Sequence, residues 1–282
     1  MSALATRLAG LRQQAGNVGL AAPVVSNSSA KHDAMIVQLR KLLDLRPAQT
    51  PRFIGPVDRM LTGEEIAPGL RYIEAWTPWE YSGALELEGI GQGRFERERM
   101  LAFDLETTGL AGGTGTRAFM IGAADWRGGG LRLRQLYITT LAAESVMLRL
   151  FLDWIEPGTV LVSYNGKSYD RPLLSTRLRL ARLPDPLFGR DHIDLLHPMR
   201  RRYKKIWPNC RLATAERELL GVMREDDLPG SEAPGAWLTY LRGGCAAKLR
   251  RVGHHNAQDL RSLCGLLDRL ADTPAQIGPP AL

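Results

Sequence analysis

The run Phe103-Asp104-Leu105-Glu106-Thr107-Thr108-Gly109-Leu110 sets two carboxylates two residues apart in a stretch that otherwise reads as a buried strand. Side chains on a strand alternate between faces, so Asp104 and Glu106 share one face while Leu101, Phe103 and Leu105 share the other. Neighbouring carboxylates repel each other and resist burial unless a cation lies between them. Hard divalent ions such as Mg2+ or Mn2+ take oxygen ligands and would fill that role. A pair of solvated acids on an edge strand is the plainer alternative. Two later segments offer what a metal site would still need. Residues 160–164 (VLVSY) read as an apolar strand, followed by Asn165-Gly166-Lys167-Ser168-Tyr169-Asp170 and a helical stretch over 171–182. Pro172 suits the first turn of that helix, where a missing N–H costs nothing. Asp170 thus stands where a strand gives way to a helix, a common place for a site in α/β folds. Farther on, His254-His255-Asn256-Ala257-Gln258-Asp259 opens a helix whose Leu260, Leu263, Leu266, Leu267 and Leu270 follow helical spacing. His255 and Asp259 are four apart and share a helix face.

Asp104 and Glu106, then Asp170, then Asp259 with a nearby histidine resemble the four-acid pattern of the DEDD (DnaQ-like) 3′–5′ exonuclease superfamily. FDLETTGL is close to its first motif, YNGKSYD to its second and HHNAQDL to its third. The resemblance extends to the bacterial YprB-type branch through LAGGTGT (110–116), DLLHPMRR (194–201), CRLATAERELLG (210–221) and EDDLPG (225–230), and spans roughly residues 61–271. It implies an α/β fold, an RNase H-like mixed sheet flanked by helices. It also implies a metal-dependent 3′–5′ exonuclease acting on DNA or RNA, with a single-stranded nucleic-acid end as its partner.

Two ions, Mg2+ or Mn2+, would be held by Asp104, Glu106, Asp170 and Asp259. In the two-metal scheme they lie about 3.5–4 Å apart and clamp the scissile phosphate. Two histidines compete for general base. One branch of the superfamily has His five residues before the last Asp, which selects His254; another has Tyr four before it, which selects His255. Asn165, five before Asp170, is similar to the YN-x-x-x-FD form that accompanies the tyrosine branch, and helix geometry also favours His255. His in place of Tyr is a departure from that pattern. Either imidazole could take a proton from the attacking water. Thr107 and Asn165, beside the acids, are candidates for binding substrate.

The 282 residues carry a net charge of +7, mostly from arginine, which favours a polyanionic partner but also fits a nucleotide-composition bias. Residues 200–207 (RRRYKKIW) are the best backbone-tracking candidate, with Arg201 for phosphate and Tyr203 and Trp207 for stacking; a solvated helix face with the aromatics turned inward is the alternative. Three scattered cysteines with no CxxC pair suggest a reducing, cytoplasmic setting without zinc or disulfides. No run of 18 apolar residues suggests a membrane span. The first 32 residues contain no acid, and Leu4, Leu8 and Leu11 suggest a surface helix or arm rather than a targeting peptide.

To position these groups, the sequence predicts an N-terminal extension over 1–97, mostly irregular or helical, with a flexible link at 16–30 and a helix near 34–45. The RNase H-like domain covers 98–273, and 274–282 form a loose tail. Within the domain, strands are predicted at about 100–106, 117–125, 131–138 and 159–164, with a helix over 142–155 stopped by Pro157-Gly158. Gly166-Lys167-Ser168 lacks the first glycine of a P-loop, where Leu161 stands. Gly113-Thr114-Gly115 precedes a strand and not a helix, so it reads as a turn near substrate. Asp191, His192, Asp194 and His197 mimic a metal set but read as loop residues, and so do Asp226 and Asp227. Two further readings keep the fold: a nucleic-acid-binding module with little or no catalysis, and a proofreading domain acting within a polymerase assembly.

Overall fold

The computed structural model describes residues 57–271 other than 81–82, 110–113 and 226. In chain order its elements are β1 (Glu64–Ala67), β2 (Leu70–Pro78), β3 (Leu85–Glu86), β4 (Arg94–Phe95), β5 (Met100–Thr107), β6 (Ala118–Arg127), β7 (Gly130–Ile138) and α1 (Glu144–Leu152). There follow β8 (Val160–Ser163), α2 (Asp170–Leu180), β9 (His192–Asp194), α3 (Leu196–Tyr203), α4 (Leu212–Ala215), α5 (Ala233–Leu241) and α6 (Ala247–Ala271). The large sheet is mixed, with order β1-β2-β7-β6-β5-β8-β9. It is antiparallel from β1 to β5 and parallel from β5 through β8 to β9. This is the RNase H-like mixed sheet flanked by helices that the motifs imply.

Each face of the sheet has its own core, and the alternation of β5 decides which helix meets which residue. Leu101, Phe103 and Leu105 pack with Phe151 of α1 and Leu174 and Leu178 of α2. Met100 and Ala102 pack on the opposite side with Leu260, Leu263 and Leu267 of α6. Asp104 and Glu106 therefore point to the face that α6 crosses. β5 and β8 run parallel, so the end of β5 and the β8–α2 connection meet at one edge. That edge is where the acids of three segments converge.

Two findings depart from the sequence expectations. The stretch ahead of residue 98 supplies strands the sequence pattern did not assign: β2 pairs along its whole length with β7, from Leu70↔Ile138 to Pro78↔Gly130. Its alternation is masked because both faces of this outer strand carry polar or aromatic groups, such as Arg71, Glu74 and Trp76. Helix α6 also begins at Ala247, seven residues before His254. Leu249 and Val252 are buried and extend the leucine stripe backwards, and Gly253 does not break it. The expected link, the helix near 34–45 and the tail fall in residues 1–56 and 272–282, outside the described residues.

Candidate active site

Asp104, Glu106, Thr107, Asn165, Asp170, His255 and Asp259 line one cavity of about 230 Å3, together with Tyr164, Tyr169 and Gly230. Glu106 and Asp170 are buried, while Asp104 and Asp259 keep a partial opening toward the cavity. Burial pushes the Asp104 carboxyl well above the usual carboxylate range, and the charges of Asp259, Asp170 and Glu106 push it further. Burial does the same to Glu106, with Asp259, Asp170 and Asp227 adding to it. Asp170 is pushed up to about 7 by burial and by Asp194. Asp259 is raised by burial, against the pull of His255 and Arg224. Crowded carboxylates that hold each other's protons so firmly are a site that a cation would relieve.

Asp104 is held from behind. Its register partner on β6 is Gly122, whose own partner on β7 is Gln135. Asn256 of α6 reaches over Gly122 and donates through Nδ2 to Asp104 Oδ2 at 2.8 Å. Gln135 Nε2 donates to Asn256 Oδ1 and to the Gly253 carbonyl, both at 2.8 Å. Because Oδ1 is occupied by a donor, the amide can only present its N–H to the carboxylate. A Cβ at Gly122 would stand 2.1 Å from Asn256 Oδ1, so only glycine admits this approach.

The β8–α2 loop brings in Asp170. Asp194 accepts the backbone N–H of Asn165 (2.7 Å), Lys167 (3.0 Å) and Leu196 (3.1 Å), and Asn165 takes a left-handed φ of 69°. Asn and Asp tolerate that conformation better than other non-glycine residues. Gly166 passes so close to Ser163 that a Cβ would meet its Oγ at 2.5 Å. His192 Nε2 lies 2.7 Å from the same Oγ. Asp194 and His192 thus brace this loop. Thr107 Oγ1 donates to the Gly109 carbonyl at 2.9 Å, as does Tyr169 Oη at 2.7 Å.

The two histidines separate. His255 is on the cavity, with Nε2 3.6 Å from Asp259 Oδ2 and Nδ1 2.7 Å from Asp227 Oδ1. Nδ1 also lies 3.1 Å from Arg224 Nη1, so the Asp227 carboxylate and the Arg224 guanidinium both face this nitrogen while Nε2 is turned to the acids. His254 is exposed and lines a neighbouring cavity. Burial pushes the Asp227 carboxyl up, but the hydrogen bonds and charges of His255 and Arg224 outweigh it and hold it below the usual range. Arg224 is the hub of this corner: it bonds Glu216 at 2.5 and 2.7 Å and Asp227 at 3.1 Å, and pairs with Asp259. Glu216 is fully buried, so the guanidinium is firmly anchored. Sequence reasoning gave Asn256, Gln135, Arg224 and Asp227 no role.

Arg201 and Tyr203 lie outside this cavity. Arg201 donates to the Ile90 carbonyl at 2.7 Å. Tyr203 stacks on Trp207 with ring centroids 4.0 Å apart, and both pack against the α6-side core.

Among the described residues no group of three or more His, Cys, Asp or Glu side chains stands ready as a metal cluster. The donor set nonetheless fits a hard cation, since it is all oxygen, anionic and desolvated. The engagement of Asp259 by Arg224 is the feature that a second ion would have to overcome.

Residues 101–271 match the family RNase_H_2 of the RNase_H superfamily. The chain is 36% identical over 199 residues to the uncharacterized protein YprB of Bacillus subtilis (strain 168), covering 68% of this chain and 46% of that protein. It thus spans about half the length of the curated relative it matches. Among solved structures it is similar to the family B DNA polymerase of the hyperthermophilic archaeon Pyrobaculum calidifontis, at 20% identity and a TM-score of 0.47, over 61% of this chain and 26% of that one. It is also similar to product-bound exonuclease I, at 16% identity and a TM-score of 0.38, over 55% and 45% of the two chains.

Proposed function

The chain belongs to the RNase H superfamily, and on that footing we propose that it is a divalent-metal-dependent nuclease. It hydrolyses phosphodiester bonds of DNA or RNA as a 3′–5′ exonuclease on single-stranded ends. The observation that carries this reading is the crowding of Asp104, Glu106, Asp170 and Asp259 around one cavity with His255 at its rim. These four carboxylates would hold Mg2+ or Mn2+. Such ions, when bound, polarise a phosphodiester and lower the pKa of the attacking water.

The chain's own groups do the rest. Asn256 aims the Asp104 carboxylate, and the Asp194 cradle holds the loop that carries Asp170. His255 takes the proton of the attacking water at Nε2, while Asp227 orients the ring and steadies it as it charges. Thr107 and Asn165 border the cavity where substrate would lie. No helix of the described residues is long and apolar enough to cross a membrane.

A second reading, a nucleic-acid-binding module without turnover, is favoured by the hold of Arg224 on Asp259. One experiment separates the two. Single-stranded DNA and RNA labelled at either end are incubated with Mn2+, Mg2+ or EDTA. A ladder shortening from the 3′ end only with metal supports the nuclease; tight binding without product under both metals supports the binder.

A further inference from the structure

A second cavity, of about 420 Å3, opens beside the acids and shares two lining residues with them, Tyr164 and Asn165. Its remaining wall is of opposite character. Arg200 of α3 and Arg211, just ahead of α4, are exposed cations on it, and Asn209, Leu196 and Leu212 line it as well. Arginines elsewhere in the fold are paired with carboxylates, Arg177 with Glu144, Arg132 with Asp125 and Arg224 with Glu216, and Arg201 and Arg202 next to Arg200 donate to backbone carbonyls. Arg200 and Arg211 pair with no carboxylate among the described residues. The Tyr164 hydroxyl donates to the Cys210 carbonyl at 2.7 Å, which fixes its ring between the two cavities.

Uncompensated guanidiniums over an apolar floor, next to a pocket of acids, suit a ligand that is anionic on one side and flat and apolar on the other. The volume falls in the range of small-molecule sites, roughly 300–1,000 Å3. We infer that this cavity is a nucleotide subsite for a single strand whose scissile phosphate lies at the acids. Arg200 and Arg211 hold the adjacent phosphate, and Tyr164, Leu196 and Leu212 receive its sugar and base. The inference rests on the nuclease reading and assigns the path of the strand. That path leaves the acids over Asn165 toward α3, on a different part of α3 from Arg201 and Tyr203.

The test is binding of a 12-nucleotide single-stranded DNA and the matching RNA, each carrying a fluorophore, followed by anisotropy between 0.1 and 1 M salt. The full chain with Asp104→Asn is used so that the probe stays intact. Each phosphate neutralised on a single strand adds about 0.7 to the salt slope. Arg200→Ala/Arg211→Ala, which frees the one phosphate the pair holds, is therefore expected to lower the slope by about 0.7, which over that decade of salt is roughly a 5-fold weaker affinity at 0.1 M. Arg200→Lys/Arg211→Lys, which keeps the charges, should restore most of the slope. Lys204→Ala/Lys205→Ala removes equal charge from the end of the same helix, outside the cavity, and should lower the slope less. An unchanged slope in the first variant, or an equal loss in the Lys204/Lys205 variant, overturns the subsite. If the wild type still cleaves, that failure leaves the nuclease reading standing. A wild type that neither binds nor cleaves either strand overturns both.

Discussion

Gly122→Ala probes how the first acid is aimed. The added Cβ would lie 2.1 Å from Asn256 Oδ1 and 2.8 Å from Leu260 Cδ1. Leu260 can turn its methyl aside. Asn256 cannot, because Gln135 Nε2 and Asp104 Oδ2 hold its two amide atoms at 2.8 Å each. The backbone cannot retreat either, since Gly122 is paired on both sides, with Asp104 and with Gln135. Asn256 must then move by roughly 1 Å or more, and its hydrogen bond to the carboxylate is lost. Overpacking of this kind costs about 1–3 kcal/mol, and an uncharged hydrogen bond contributes about 0.5–1.5 kcal/mol. A loss of about 2–4 kcal/mol is expected, or a drop in Tm of roughly 4–16 °C for a domain of this size. A displacement of this size at the reacting groups lowers turnover roughly a hundredfold, and disturbing a ligand's support weakens metal affinity about 10–100-fold. Thermal melts, Mn2+ calorimetry and nuclease assays read the three effects separately. Gly253→Ala is the control: its Cβ would sit at an ordinary 3.8 Å from Met120 Cε, and helix propensity gains up to about 1 kcal/mol. Wild-type melting, metal affinity and turnover in Gly122→Ala would refute the argument.

His255→Ala lowers turnover about 10²–10⁴-fold with little change in KM, whereas His254→Ala, at an exposed position off the acid cavity, stays near wild type; steady-state kinetics of the pair decides. Arg224→Met strands the fully buried Glu216 and costs about 3–5 kcal/mol in urea melts; adding Glu216→Gln recovers part of it, and a neutral Arg224→Met contradicts the buried pair. Asp170 carries a folded pKa of about 7 against 3.8 unfolded, so between those values the folded state binds more protons and stability falls as pH rises. Asp170→Asn removes that penalty, so its advantage over wild type in EDTA grows by up to about 4 kcal/mol from pH 4 to 7. His192, lowered to about 4, acts oppositely below pH 6.5 but cancels in the comparison. A pH-independent difference would refute the crowding of the acids.

What was legible in the chain was local. Alternation along β5 put Asp104 and Glu106 on one face, and the β8–α2 junction and the i,i+4 spacing of His255 and Asp259 depend only on neighbours in sequence. The supports of those residues are not local. Gln135, Asn256 and Asp104 meet across three strands and a helix, and the one sequence signal is Gly122, an isolated glycine inside the apolar run AFMIGAADW. Arg224 and Asp227 come from an irregular connection, where no periodicity announces direction. Tyr203 and Trp207, four apart, could have met bases or each other; stacking at 4.0 Å takes up both rings. β1 and β2 were hidden because an outer strand with polar residues on both faces carries no clean alternation.

The central claim is that the four acids make this cavity a metal-dependent phosphodiesterase. Its most direct measurement is release of mononucleotides from single-stranded DNA and RNA by wild type and Asp104→Asn, each with Mn2+ and with EDTA, alongside thermal melts. Release by the wild type with Mn2+ alone, and none from a folded Asp104→Asn, is the predicted result. Equal release by the two proteins, or release in EDTA, would contradict it.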